Sequence, residues 1–330
     1  MFVDDILMDE KKDIKIDVSV IMTTYGHEDF IRKAIKGVIS QVFDGTIELI
    51  ISNDQSPDQT HQIVESIIEE NNYPSNINIR YFNHQVNKGS TNNFIWTYKQ
   101  SKGKYIAVCE GDDYWIDIKK IQRQVEYLNE NLDCNLVYHK VLLYDNEKGI
   151  FLHERLNEGN KHCKKSIEEI STGNFIHTPS VMFRNNLKSI KLLEDSLVGD
   201  YVLWFLNGEV GKYGFIPNIM AVYRLSDISI FGKKSIYFQS IQVLKVVLNL
   251  KNYTKVEKIK NNFIIQSQKI SGKIGISALS VKEFTQLFNI MVKISPSNAI
   301  YLIKRVVDKV FFSKVSIITI FLTNIELYVK

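Results

Sequence analysis

Apolar runs and amphipathic stretches alternate along the first 130 residues of this chain. Three short, mostly apolar runs, at residues 18–22, 47–51 and 105–109, predict strands, and residues 77–82 predict another. The stretches between and after them repeat apolar residues at helical spacing, over residues 28–41, 63–68, 91–101 and 118–129. Strands that alternate with helices predict βαβ units, and therefore an α/β fold with a mostly parallel sheet flanked by helices.

The pattern changes after residue 130. Short strand-like runs at residues 136–138, 180–183 and 219–223 are mixed with a helical stretch near residues 200–210. From residue 233 the pattern is helical, with few glycines and a single proline, Pro296. We therefore expect an α/β body over residues 1–232 and a helical region over residues 233–330.

Charge is divided unevenly between these two regions. Residues 233–330 contain 16 Lys and Arg but only 4 Asp and Glu, whereas the preceding residues contain 25 basic and 33 acidic side chains. A basic helical region favours an anionic membrane surface as partner, and packing on the body or self-association is the alternative. Loss of membrane binding on truncation near Lys233 would favour the membrane. The net acidic body argues against nucleic acid as a partner.

The cysteines and the N-terminal sequence predict a cytoplasmic protein. Cys109, Cys134 and Cys163 are too few and too scattered for a disulfide framework or a zinc site. The first residues carry early acids and no long apolar run, unlike a signal peptide. No stretch reaches the roughly 18–20 apolar residues of a membrane-spanning helix, so attachment to the inner face of the cell membrane would be peripheral.

Polar clusters follow three of the predicted strands: Thr23–Tyr25, Ser52–Asp54 and Glu110–Asp113. Ligands of parallel α/β sheets bind beyond the carboxyl ends of the strands, so these clusters predict a binding site. The chain lacks G-x-G-x-x-G and G-x-x-x-x-G-K-[ST], the glycine-rich loops of dinucleotide and P-loop sites. A phosphate site built around a metal remains.

The Glu110–Asp113 cluster is the best candidate for that metal. Adjacent carboxylates repel each other, and a cation relieves the repulsion. Oxygen ligands suit Mg²⁺ or Mn²⁺, which carboxylates and substrate phosphates typically hold together. A polar turn after a strand is the alternative interpretation.

From about Val18 to Phe231 the chain resembles the inverting family-2 glycosyltransferases of the GT-A fold, especially those that build bacterial surface polysaccharides. The matching segments occur in the family's order: Val18–Tyr25, Glu48–Ser56, Asn87–Asn93, Glu110–Trp115, His177–Arg184, Gly199–Trp204 and Tyr223–Ser226. The resemblance implies a nucleotide-binding half over about residues 16–130 and an acceptor half over about residues 131–232.

The resemblance also implies roles for individual residues of the donor site. The nucleotide-sugar would be bound by Thr23, Tyr25, Asp54, Asn87, Gly89, Asn93, Asp112 and Arg224, and Mn²⁺ or Mg²⁺ by Asp112 and Asp113, with Glu110 at the first acidic position. A turn aromatic is the alternative for Tyr25, and a helix N-cap for Asp54. Ser226 replaces a histidine that approaches the metal or diphosphate in some relatives. Gln122 and Gln124, in the helix after the motif, fit a solvated face, and most remaining histidines are expected at the surface.

On the acceptor side, the resemblance implies that Asp200 is the general base and that Thr178, Ser180 and Trp204 contact the acceptor. A helix N-cap is the alternative for Asp200, and core packing is the alternative for the other three. The implied enzyme moves a sugar, with inversion and a divalent cation, from a nucleotide-diphospho-sugar such as a UDP-sugar to a hydroxyl of a glycan or lipid-linked saccharide. A sugar nucleotidyltransferase and a non-catalytic carbohydrate- or partner-binding protein are the alternatives.

Overall fold

The computed structural model describes residues 15–152, 159–194, 196–225 and 234–309. The chain divides into two compact units, the first of residues 1–165, 175–194 and 206–228, and the second of residues 166–174, 195–205 and 229–330. The predicted boundary after residue 232 lies close to the start of the long C-terminal part of the second unit. Two earlier segments also belong to that unit, and one of them carries Asp200.

The first unit begins with the predicted alternation of strands and helices. Its strands are β1 (Val18–Thr24), β2 (Ile47–Asn53), β3 (Ile77–Asn83) and β4 (Tyr105–Val108), and its helices are α1 (Ile31–Ile39), α2 (Thr60–Glu70) and α3 (Ser90–Gln100). The strands pair in parallel in the order β3-β2-β1-β4. β2 and β4 are buried along their whole length, as expected for parallel strands with both faces covered. The βαβ prediction is confirmed.

Two long strands, β6 (Cys134–Asp145) and β10 (Lys212–Leu225), form the centre of the other half of the sheet and also pair in parallel. Short antiparallel strands complete it: β5 (Tyr114–Trp115), β7 (Ile150–Leu152), β8 (Cys163–Lys165) and β9 (Met182–Arg184). The order continues β4-β9-β6-β10-β5, with β7 on β6 and β8 on β10. The sequence predicted much shorter runs within β6 and β10. Register shifts around Ile219, just after Pro217, interrupt the apolar pattern of β10.

The helix after the acidic motif, α4 (Lys120–Glu130), buries polar side chains that the sequence placed in solvent. The solvated-face interpretation is wrong for Gln124, which is fully buried and donates from Nε2 to the Ser180 carbonyl oxygen at 2.8 Å. Gln124 Oε1 accepts from Lys120 Nζ at 2.6 Å, and this ammonium lies 3.9 Å from the centroid of the Trp115 ring. Most of the remaining histidines were expected at the surface, and His139, which is 1% exposed, is an exception. The buried pair of Lys120 and Gln124 therefore supports the 3₁₀ turn at Thr178–Ser180 through the hydrogen bond to the Ser180 carbonyl oxygen.

Lys120 makes the stability of the fold depend on pH. Burial lowers the pKa of this fully buried ammonium from 10.5 to about 7. Above pH 7 the folded state releases the proton that the unfolded chain keeps until about pH 10, so stability rises with pH in that window. We expect the free energy of unfolding in urea to rise by about 3 kcal/mol between about pH 7 and about pH 9.5. Most of that rise should be absent in Lys120→Met.

Lys119→Met is the matched control, because Lys119 is the exposed neighbour of Lys120. This control should keep the wild-type slope of stability against pH. Equal slopes in the two variants would contradict the assignment to Lys120.

The second unit is helical in its described part. It contains α5 (Ile167–Ile170), the start of α6 (Gly199–Val210), α7 (Ile236–Tyr253), α8 (Glu257–Gly272) and α9 (Val281–Ile294), and residues 296–309 are also helical. Tyr201 is 1% exposed, and its hydroxyl oxygen lies within hydrogen-bond distance of two acceptors, the Ile170 carbonyl oxygen at 2.8 Å and Gln266 Oε1 at 3.0 Å. The Phe205 and Phe263 rings pack with centroids 5.6 Å apart. The helical character predicted from residue 233 is confirmed for residues 236–309, apart from the short connections between helices.

No helix within the described ranges combines the length and the apolar character needed to cross a membrane. Membrane attachment and self-association of the basic region stay predictions.

Candidate active site

The carboxyl ends of β1, β2 and β4 meet at one edge of the sheet, as the sequence predicted. The Gly111 amide, just beyond β4, donates to the Thr23 carbonyl oxygen at 3.0 Å. The Asp54 amide, just beyond β2, donates to the Thr24 carbonyl oxygen at 2.9 Å. Oxygens of Glu110, Asp112 and Asp113 lie within 4.8 Å of one another. The three polar clusters therefore belong to one site.

Asp113 is the least solvated member of this acidic triad. It is 2% exposed, and its Oδ1 accepts a hydrogen bond of 2.8 Å from the backbone N–H of Arg224. Its Oδ2 is buried and has no hydrogen-bond partner among the described residues. Burial first, and then the nearby charges of Asp112 and Glu110, raise the pKa of the Asp113 carboxyl well above its ordinary value. The triad therefore holds negative charge that the surrounding protein leaves only partly compensated.

A divalent cation fits this donor set. Three carboxylates within one cation's reach supply the oxygen ligands that Mg²⁺ and Mn²⁺ prefer, and the buried Oδ2 of Asp113 supplies an oxygen with unused hydrogen-bonding capacity. An unpaired buried charge costs several kcal/mol, roughly, and a bound cation offsets that cost. The polar-turn interpretation leaves the unpartnered oxygen unexplained.

Arg224 lies beside the triad, held between two aromatic rings. Its guanidinium carbon is 4.7 Å from the ring centroid of Phe30 and 4.8 Å from that of Tyr114. The residue is 8% exposed, and its Nε has no hydrogen-bond partner among the described side chains and backbone. A guanidinium stacked in this way keeps its N–H groups for an anionic partner. Ser226, which replaces the family's histidine, lies outside the described residues.

Thr23 and Tyr25, the predicted contacts to the nucleobase, stand at and just beyond the end of β1. Thr23 is partly exposed, and the Tyr25 residue is 49% exposed. Half of the tyrosine surface is therefore available to a ligand. Their contact with a nucleotide stays a prediction.

Asp54 ties two of the predicted nucleotide-binding segments together. Its Oδ1 accepts from the Lys88 amide at 2.7 Å, and its Oδ2 accepts from the Gly89 amide at 2.9 Å. Asn87 Nδ2 donates to the Asp54 carbonyl oxygen at 2.8 Å. The N-cap alternative is wrong for Asp54, because the N-cap of α2 is Gln59. Gly89 has a φ of +81°, a left-handed conformation that glycine adopts without strain.

Asn93, in the first turn of α3, is hydrogen-bonded to Ser52 of β2. It is 1% exposed, accepts from Ser52 Oγ at 2.6 Å and donates to the Ser52 carbonyl oxygen at 3.0 Å. This pair fixes the start of α3 against the end of β2. Its predicted role toward the nucleotide-sugar is therefore indirect in this structure, through the loop that precedes α3.

Two of the three predicted acceptor contacts need correction. Ser180 and Trp204 are fully buried, so neither presents a surface to an acceptor, and the packing alternative describes them. Ser180 Oγ donates to the His177 carbonyl oxygen at 2.6 Å, within a 3₁₀ turn at Thr178–Ser180 where the sequence predicted the start of a strand. Thr178 is partly exposed, and its acceptor role stays a prediction.

Asp200 belongs to the second unit and lies within the first turn of α6. Its Oδ2 accepts from Asn174 Nδ2 at 3.1 Å, and both residues belong to the second unit. The helix starts at Gly199, so Asp200 is inside the helix and is not its N-cap. A carboxylate in the first turn interacts favourably with the helix dipole. Its role as general base stays a prediction.

Sequence reasoning missed His27. The imidazole Nε2 lies 4.0 Å from Asp112 Oδ2, and the side chain is only 15% exposed. The available signal was its position three residues after Thr24, at the end of a strand that already carried polar candidates.

Several known proteins are similar to this chain in sequence or in fold. The sequence profile of "Glycosyl transferase family 2" matches residues 19–190, just over half of the chain. An uncharacterized protein of Mycobacterium tuberculosis is 29% identical over 63% of this chain, and the match spans 58% of that protein's length. A relative in Escherichia coli, named UDP-Glc:alpha-D-GlcNAc-diphosphoundecaprenol beta-1,3-glucosyltransferase WfaP, is 31% identical over 34% of this chain and 41% of its own length.

Two solved structures share the fold at low sequence identity. Residues 1–349 of Staphylococcus aureus TarS, in complex with UDP-GlcNAc, superpose with a TM-score of 0.63 and 15% identity, over 84% of this chain and 80% of that chain. The mannosyltransferase PcManGT of Pyrobaculum calidifontis, in complex with GDP-Man and Mn²⁺, has a TM-score of 0.53 and 12% identity, over 91% of each chain. The fold is therefore of the GT-A type, and with the profile match over more than half of its residues the chain belongs to glycosyl transferase family 2.

Proposed function

We propose that this protein transfers a sugar from a nucleotide-diphospho-sugar, a UDP-sugar first of all, to a hydroxyl of a glycan or lipid-linked saccharide. The transfer inverts the anomeric carbon, depends on a divalent cation and belongs to the synthesis of bacterial surface polysaccharide. The observation that carries the proposal is the buried, unpartnered Oδ2 of Asp113 within the acidic triad, beside the Arg224 guanidinium.

The names of similar proteins support the choice of donor. The E. coli relative is named for a UDP-glucose donor and a diphosphoundecaprenol-linked acceptor. The TarS structure is a complex with UDP-GlcNAc, whereas the PcManGT structure is a complex with GDP-Man and Mn²⁺. A diphosphate-linked sugar is common to all three names, so the diphosphate is the part of the substrate that we assign most directly to the site.

Two groups of residues would stabilise the negative charge of the leaving diphosphate: the acidic triad, through a bound cation, and Arg224. Asp112 and Asp113, with Glu110 beside them, would hold Mn²⁺ or Mg²⁺, which as a Lewis acid stabilises negative charge on the leaving diphosphate. The Arg224 guanidinium, whose Nε has no hydrogen-bond partner among the described residues, would supply a second positive charge to the diphosphate.

The remaining roles concern the nucleoside and the acceptor. The partly exposed Thr23 and Tyr25 would contact the base, and Asp54 keeps the Asn87–Gly89 loop in place beside them. Asp200 would remove the proton of the attacking hydroxyl. Attack on the face opposite the leaving group inverts the anomeric carbon and needs no covalent intermediate.

A donor panel tests this function and separates its rivals. The protein is incubated with UDP-Glc, UDP-GlcNAc, UDP-Gal or GDP-Man, with and without Mn²⁺ or Mg²⁺, and the released products are separated. We expect slow, cation-dependent release of a nucleoside diphosphate from one donor. Formation of UDP-sugar from UTP and a sugar phosphate, with pyrophosphate released, would instead identify a nucleotidyltransferase. A non-catalytic binding protein would release no product from any donor and cation.

A further inference from the structure

His27 lies next to the acidic triad but has no part in the function described so far. It follows β1, and its ring faces two residues of the site from opposite nitrogens. Nε2 is 4.0 Å from Asp112 Oδ2, and Nδ1 is 3.1 Å from Thr24 Oγ1. The side chains of His27 and Asp112 are 15% and 18% exposed, so water screens the pair only in part.

The histidine is held in place by its neighbours on three sides. The Thr24 residue is 2% exposed, and its hydroxyl faces the ring nitrogen. The His27 backbone N–H donates to Thr60 Oγ1 at 3.0 Å, which fastens the loop to the first turn of α2. The Phe30 ring meets the imidazole edge to face, with centroids 6.3 Å apart. The ring therefore has little freedom to turn away from Asp112.

Position 111 of the acidic motif is glycine, and a side chain there would collide with Thr24 and His27. A Cβ at position 111 would lie 2.6 Å from Thr24 Oγ1 and 2.7 Å from His27 Nδ1. Both separations are well below van der Waals contact, so any side chain there would displace the threonine–histidine pair. Glycine between Glu110 and Asp112 thus allows the imidazole to lie against the motif.

We propose that His27 is a positioning residue, which orients the Asp112 carboxylate toward the cation by donating a hydrogen bond from Nε2. In this assignment the Thr24 hydroxyl donates to Nδ1, and the ring hydrogen stands on Nε2, facing Asp112. The separation of 4.0 Å exceeds a hydrogen bond by about 1 Å, so the proposed bond requires the Asp112 carboxylate to move toward the ring by about that distance. The inference rests on the proposed function, because it assumes that the triad binds a divalent cation.

Binding of Mn²⁺ alone to the full-length protein, measured by calorimetry without nucleotide, tests this role. A glutamine amide reaches the position of the histidine Nε2, whereas an asparagine amide reaches only that of Nδ1. We expect His27→Ala and His27→Asn to weaken Mn²⁺ binding by about 10- to 100-fold, the usual effect of losing a partner of a metal-binding carboxylate. His27→Gln should stay within about 3-fold of the wild type, since it retains the donor.

Thr24→Val is a second, independent route, because it removes the hydroxyl that orients the ring and keeps the imidazole. It should also weaken Mn²⁺ binding, by less than His27→Ala. His162→Ala, at an exposed histidine, is the matched control and should bind Mn²⁺ as the wild type does. The midpoint of thermal unfolding, measured without metal, shows which variants are folded.

The outcomes distinguish failure of the proposed role of His27 from failure of the proposed cation site. Wild-type Mn²⁺ affinity in a folded His27→Ala protein would overturn the role of His27 and leave the cation site standing. Equal losses in folded His27→Gln and His27→Ala proteins would also overturn it, because ring packing and not the hydrogen bond would then matter. Absence of Mn²⁺ binding in the wild type would overturn the cation site and the inference together.

Discussion

Asp113→Asn is expected to lower the rate of cation-dependent sugar transfer by about 10²- to 10³-fold, because it removes a charge that holds the stabilising cation at the leaving diphosphate. Asparagine keeps the size of the side chain and its acceptor oxygen for the Arg224 amide, so the backbone contact survives. The measurement is nucleotide release from the active donor as a function of Mn²⁺ concentration.

The same variant separates loss of function from loss of fold. Asp113 is buried among like charges, so removing its charge should not lower, and should even raise, the midpoint of thermal unfolding without metal. Mn²⁺ should raise that midpoint in the wild type but not in Asp113→Asn, because only a protein that binds the ion is stabilised by it. Asp44→Asn, at an exposed aspartate, is the control. Wild-type turnover and a full Mn²⁺ shift in Asp113→Asn would contradict the cation site.

Asp200→Asn is expected to lower kcat by about 10²- to 10⁴-fold, the range that a general base contributes. An amide has no basic oxygen that can take the proton of the acceptor hydroxyl. Binding of UDP, measured by calorimetry with Mn²⁺ present, should remain at the wild-type level, because the nucleotide is assigned to residues of the first unit. The contrast between lost turnover and retained nucleotide binding distinguishes a base from a residue that merely supports the fold.

Two further variants isolate the catalytic role of Asp200. Glu209→Gln removes a carboxylate from the other end of α6 and should leave kcat unchanged. Asn174→Ala removes the amide that donates to Asp200 Oδ2, and it should lower kcat much less than Asp200→Asn does. Transfer at the wild-type rate in Asp200→Asn would show that another group takes the proton.

The sequence did not predict which residues with polar side-chain atoms are buried, and these errors have one cause. Gln124, His139, Ser180 and Trp204 each have a polar atom, which favours solvent or a ligand when the residue is taken alone. Each is buried in the structure, and for Gln124 and Ser180 the partners come from distant parts of the chain or from a local turn. Whether a buried polar group is satisfied depends on those partners, and a single segment does not reveal them.

In the helical region, the sequence likewise did not predict which apolar residues are buried. Leu302 is fully buried, whereas Ile303 is 52% and Val307 is 57% exposed on the same helix. Helical spacing alone predicts that a segment is a helix, but the face that packs is chosen by the neighbouring helices.

The sequence by itself determined the βαβ order, the GT-A type of fold and the acidic motif at the end of β4. The βαβ order and the place of the motif depend on local periodicity and on the rule that the carboxyl ends of parallel strands share one edge, whereas the GT-A type was implied by the resemblance to a known family. Only the tertiary structure decided that Asp113 keeps an unpartnered oxygen, that Arg224 is clamped between Phe30 and Tyr114, and that His27 faces Asp112. The physical reason is that desolvation and charge pairing act through space, between segments that lie as many as 111 residues apart in the chain.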